Sequence, residues 1–193
     1  SPAASPMLRL AACALALAPA PPTAAQTRAH GEPRPSPNAL VGQTVGTTEI
    51  TVTYGRPSAR GRVIFGTEAD GALVPYGQVW RTGANEATTV TVSDTVRVEG
   101  ETLPPGTYAL FTLPTDGAWT VIFNRIADQW GAFRYDDDED ALRVSVTPLR
   151  EAPMQEQFEV RFQDVSATDA TMILHWARTG VPVRFEAHGQ TGG

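Results

Sequence analysis

From residue 49 onward the chain alternates apolar and polar residues. Ile50, Val52 and Tyr54 oppose Thr51 and Thr53, and Val90 and Val92 repeat the pattern. A period of two sends successive side chains to opposite faces of a strand, so only half-buried β-structure satisfies it. Further β-branched or aromatic segments lie at 88–92, 95–98, 108–113, 119–124, 142–147, 157–163, 171–176 and 181–185. Turn residues separate such segments every ~8–12 positions, which favours packed antiparallel sheets over alternating strands and helices. The predicted fold is all-β: a single antiparallel β-sandwich, jelly-roll or Ig-like, of about 8–10 strands with little helix. Pro114-Thr115-Asp116-Gly117 marks a hairpin, and only residues 136–141 suit a turn of helix.

The 193 residues are enough for one domain with a full core. Residues 1–25 read as an export signal peptide with Met7 as its start. Arg9 precedes a short leucine-alanine core, and small residues end it at Thr23, Ala24 and Ala25. Residues 26–37 form a linker with Pro33, Pro35 and Pro37, which cannot supply a ladder of backbone donors. The sandwich is expected over 38–187, with a loose tail at 188–193. The expected location is periplasmic or extracellular. No apolar run reaches the ~20 residues of a membrane-spanning helix.

Composition narrows the chemistry. All 15 basic residues are arginine, against 21 acidic ones, for a net charge of -6. The absence of lysine removes Schiff-base chemistry and a lysine-bearing phosphate loop, and the acidic balance argues against nucleic acid. Three histidines and one cysteine cannot build a Cys/His zinc site. The carboxylates at 136–140 lack the glycine and glutamate spacing of a calcium loop, and no G-x-S-x-G elbow occurs. No metal or cofactor is expected.

Two long connections concentrate polar and indole residues. In 74–89, Trp80, Arg81, Asn85 and Glu86 surround Gly77 and Gly83. Either these residues face a pocket, with Arg81 offering a planar donor fork to an anion, or they form a buried ion pair pinning the connection. In 123–135, Asn124, Gln129 and Trp130 pair two amides with an indole. Trp80 and Trp130 either wall an apolar hollow or cap the ends of the core. Arg56 follows a strand and either belongs to an anion-binding rim or sits in a solvated turn, tied to a carboxylate.

The motifs LVPYGQVWRTGANEATTV, LPPGTYALFTLP, WTVIFN, and QWGAFRY followed by DALRV occur in this order. In that order they resemble the bacterial domain of unknown function 2911 family, from about residue 38 to about residue 185. The resemblance implies an exported β-rich domain with no established activity. It places Trp80, Arg81, Asn85, Glu86, Gln129 and Trp130 within the family's long motifs and assigns them no role.

The functional expectation is an exported domain binding a small polar or anionic molecule, a glycan or a peptide. Arg56 and Arg81 would contact the anion, Asn85, Asn124 and Gln129 would orient it, and Trp80 and Trp130 would supply apolar wall. Glu86 would hold an arginine fork. One alternative is a cofactor-free hydrolase or isomerase with Glu86 as general base. Another is a structural or interaction module of the cell envelope.

Overall fold

A computed structural model describes residues 32–187. The expected export signal, the start of the expected linker and the expected tail lie outside the described residues. The strands are β1 (Asn38–Val45), β2 (Thr48–Gly55), β3 (Phe65–Gly66), β4 (Val74–Pro75), β5 (Thr88–Val92), β6 (Val96–Val98) and β7 (Glu101–Leu103). They continue as β8 (Gly106–Leu113), β9 (Trp119–Asn124), β10 (Asp140–Val146), β11 (Gln155–Gln163), β12 (Asp169–Ala177) and β13 (Thr179–Ala187). Two antiparallel sheets result, a six-stranded one in the order β1-β2-β5-β8-β9-β10 and a five-stranded one in the order β11-β12-β13-β6-β7. The all-β sandwich expected from the sequence is therefore the fold. The hairpin at Pro114–Gly117 joins β8 to β9 with Leu113 opposite Thr120. The expected turn of helix is the 3-10 turn Asp137–Glu139, and a second such turn, not expected from the sequence, forms at Glu68–Asp70, where Thr67 and Asp70 cap each other.

The strand count exceeds the expected eight to ten. β1, β3, β4 and β7 carry no clear alternation of their own. β1 is an edge strand whose pairing with β2 fixes its register. β3 and β4 are a two-residue parallel pair, too short to show a period. β7 lies within the turn-rich stretch that closes a hairpin on β6.

Alternation builds the core. Ile50, Val52, Tyr54, Val90, Val92, Leu110, Val121 and Phe123 project from the larger sheet. Phe158, Val160, Met172, Leu174, Trp176, Val183 and Phe185 meet them from the smaller one. Tyr54 packs edge-on against Phe158 at 5.6 Å, and Phe123 against Phe185 at 6.2 Å. Such edge-to-face contacts suit the ring quadrupole. Near the start of β8, Tyr108 reaches back over the β7–β8 turn, and its hydroxyl donates to Pro104 O at 2.9 Å.

The larger sheet is apolar on its outer face as well. Ala109, Phe111 and Ile122 alternate with the core-facing residues, yet all three are fully buried. Val79, Ala87, Ala132 and Tyr135 cover them. The two connections singled out above thus form a partial third layer over β8 and β9.

Candidate functional site

The connection leading into β5 begins as an extension of the sheet. Trp80 N donates to Thr112 O at 2.8 Å, and Thr112 N returns to Trp80 O at 3.0 Å. This register gives Trp80 the parity of Thr112 and Leu110, so its indole enters the core. It stacks on Trp176 at 5.8 Å and 17°, with Phe158 and Phe65 edge-on. Trp80 is thus a core residue rather than the wall of a surface hollow.

After Trp80 the backbone turns sharply. Thr82 and Asn85 adopt left-handed φ of 53° and 66°. For a β-branched residue this is strained, and buried contacts hold Thr82 there. Its hydroxyl lies 3.3 Å from Thr112 Oγ1, and Thr88 Oγ1 donates to Thr82 O at 2.6 Å. Gly55 allows the close approach, because a Cβ there would lie 2.4 Å from Ala84 O.

The second connection meets the first through main-chain pairing. Glu86 and Trp130 form an antiparallel bridge. Ala87 N donates to Gln129 O at 3.0 Å, and Gly131 N to Asn85 O at 3.1 Å. Arg81, Asn85, Glu86, Gln129 and Trp130 are therefore brought together, although the two stretches are some forty residues apart in the chain.

Their polar groups are used in different ways. Arg34, from the proline-rich stretch, grips both oxygens of Glu86, with Nη1 at 2.7 and 3.0 Å and Nη2 at 3.1 Å. The pairing raises the Arg34 pKa above its ordinary value. Asn85 Nδ2 donates to Ser36 O at 3.0 Å. Glu86 thus holds an arginine fork, supplied by Arg34 and not by Arg56 or Arg81. Arg56 turns away, and its Nε donates to Phe158 O at 3.0 Å. Gln129 is buried, with Nε2 donating to Ile126 O at 2.6 Å and Oε1 without a partner.

Asn124 does not face the site but anchors its base. Its Nδ2 donates to Asp136 O at 2.8 Å and to Asp140 Oδ1 at 2.9 Å, and its Oδ1 accepts from Ile126 N at 3.0 Å. Asp140 also accepts from Tyr135 OH at 2.6 Å and pairs with Arg143 at 2.8 Å. Burial, followed by the hydrogen bond to Asp140, pushes the Tyr135 phenol well above its ordinary range. Burial raises Tyr54 and Tyr108 as well.

A phenol whose folded pKa is raised contributes stability below the unfolded value of about 10 and loses it as pH climbs toward the folded value. No lysine titrates in this window to obscure the effect. The urea midpoint should therefore fall between pH 9 and 11, and Tyr135→Phe should shrink that fall although it weakens the fold at pH 7. An equal fall in both proteins would remove Tyr135 from the account.

Arg81 lies on the surface of the paired connections. It is half-buried, and burial alone lowers its pKa. Its Nη1 donates to Asn85 O at 3.0 Å. Among the described residues no carboxylate pairs with it. Its guanidinium carbon lies 5.9 Å from the centroid of Phe133, which is 82% exposed. Gly131 makes this possible with a φ of 68°, since a Cβ there would come within 3.1 Å of Arg81 Nη1 and 2.9 Å of Phe133. Trp130 beside it is 54% exposed.

The sequence reading missed Arg34 and Phe133. In an extended proline segment, period two places Arg34 and Ser36 on one side, and that was the available signal for the first. Phe133 offered none beyond being an aromatic near Gly131.

No curated protein and no solved structure matches the chain. A family model described as Protein of unknown function (DUF2911) matches residues 36–185, spanning every strand from β1 to β12 and most of β13. The chain belongs to this DUF2911 family of proteins of unknown function.

Proposed function

We propose that the protein is an exported recognition domain that takes a carboxylate-bearing ligand on the surface formed by Arg81, Trp130 and Phe133. The observation that carries this reading is the half-buried Arg81 guanidinium, which has no carboxylate partner among the described residues. A cation drawn partly out of water favours an anion, and a guanidinium matches a carboxylate in two-point geometry. The exposed rings of Trp130 and Phe133 offer faces for the apolar side of a sugar or small acid. Export rests on the order of charge, apolar core and small residues within positions 7–25.

The enzymatic reading draws less from the geometry. Glu86, its intended base, is gripped across both oxygens by an arginine and acts as a charge partner.

The test is thermal melting of the full chain with glucuronate, galacturonate and acetylated amino acids, set against glucose and amidated controls. A ligand that binds only the folded state raises the melting point, by about 2.7 kcal/mol of stabilisation at a hundredfold excess over Kd. Stabilisation by at least one carboxylate compound, lost in Arg81→Gln, is expected. No response from any of them, or an undiminished response in Arg81→Gln, overturns the proposal.

A further inference from the structure

The proline-rich stretch crosses the paired connections in a manner that points to a second binding site, independent of Arg81. Its side-chain contact is Arg34 on Glu86. The pair is well sheltered, with side-chain exposures of 18% and 10%. Its other contacts are made by the main chain. Asn85 Nδ2 takes Ser36 O, and Arg56 N takes Pro37 O at 2.9 Å. Glu32, Pro33, Pro35 and Pro37 are exposed. The stretch therefore buries none of its prolines. What the surface reads is one guanidinium and two successive carbonyls, and any extended segment with an arginine two residues before the first carbonyl presents the same groups.

The receiving side is built for such a visitor. A carboxylate sheltered to this degree needs a cation, and a bidentate guanidinium satisfies both oxygens. Asn85 holds its amide toward Ser36 from a left-handed backbone. Glu86, Asn85 and Arg56 lie inside the segment that matches the family, whereas Arg34 lies ahead of it. The accepting Glu86 and the donors Asn85 Nδ2 and Arg56 N belong to the family domain, as do Ser36 and Pro37, and the arginine that meets Glu86 does not. The net charge of -6 also suits a cationic partner.

We propose that Asn85, Glu86 and the Arg56 amide form a docking site for an extended, arginine-bearing segment of a partner protein, and that residues 32–37 are its resident occupant. The tethered occupant competes at an effective concentration on the order of millimolar, so a partner must displace it.

The experiment uses the full chain and a fluorescein-labelled heptapeptide of residues 32–38, EPRPSPN, followed by anisotropy. Arg34→Ala removes the resident guanidinium and should bind the peptide at least tenfold more tightly than the unmodified chain. The same peptide with glutamine for arginine, or Glu86→Gln added to Arg34→Ala, should lose that gain. Arg34→Lys provides a second arm if the alanine variant does not fold. It keeps the charge but makes a one-point contact that an arginine peptide outcompetes, so it too should bind more tightly than the parent. A folded variant that ignores the peptide up to millimolar concentration, or binds the glutamine peptide equally well, overturns the proposal.

Discussion

Trp80→Ala is expected to cost about 3–5 kcal/mol of folding free energy, the usual range for emptying a buried tryptophan site. Trp80 is bridged to Thr112 of the larger sheet and contacts Trp176 and Phe158 of the smaller one and Phe65 of β3, so its removal opens the core where the sheets meet. A domain of ordinary stability holds about 5–15 kcal/mol in total, so the variant should be marginal at 37 °C. Trp130→Ala is the contrast, because that indole is 54% exposed and surface substitutions usually change stability by about 0.5 kcal/mol or less. Urea unfolding followed by circular dichroism measures both. If the two variants unfold at the same midpoint, the assignment of Trp80 to the core and Trp130 to the surface is wrong.

Asn124→Ala should follow, at about 3 kcal/mol. The substitution deletes three hydrogen bonds and leaves Asp136 O, Asp140 Oδ1 and Ile126 N to find new partners. Each buried polar group left unpaired costs roughly 1–3 kcal/mol, and water reaching the base of the loop recovers part of the total. The damage should be local first. Residues 125–138 should become sensitive to brief proteolysis under conditions where β8 and β9 still resist. Asn124→Asp, which keeps the acceptor for Ile126 N but sets a carboxylate against Asp140, should not rescue the loop. A variant as stable and as protease-resistant as the parent would show that Asn124 is not the anchor.

These two residues also show how far the sequence carried. Strands such as 49–54 and 88–92 were legible because one face is buried and the other is not, and this is what alternation records. The runs Ala109-Leu110-Phe111 and Val121-Ile122-Phe123 do not alternate, because both faces are covered. Continuous apolar runs of that kind signal a strand between two layers. The meeting of the two connections was a supposition from composition, and main-chain pairing at Glu86 and Trp130 brings it about. The partner of Glu86 was not legible. Arg34 lies 52 residues away, and no local pattern ties a cation to a carboxylate at that distance. Trp80 looked like a site residue because of its neighbours, and only its register with Thr112 shows that it turns inward.

The hidden apolar island beneath the paired connections, formed by Ala109, Phe111 and Ile122, has a thermodynamic consequence. Segments that rest on such a base have already given up their freedom when the chain folds. A molecule arriving at Arg81 or Glu86 then meets groups fixed in place, and little ordering entropy is subtracted from the contacts it makes. Modest ligands with few atoms can be retained on a surface of that kind, where a floppy loop of the same composition would let them go.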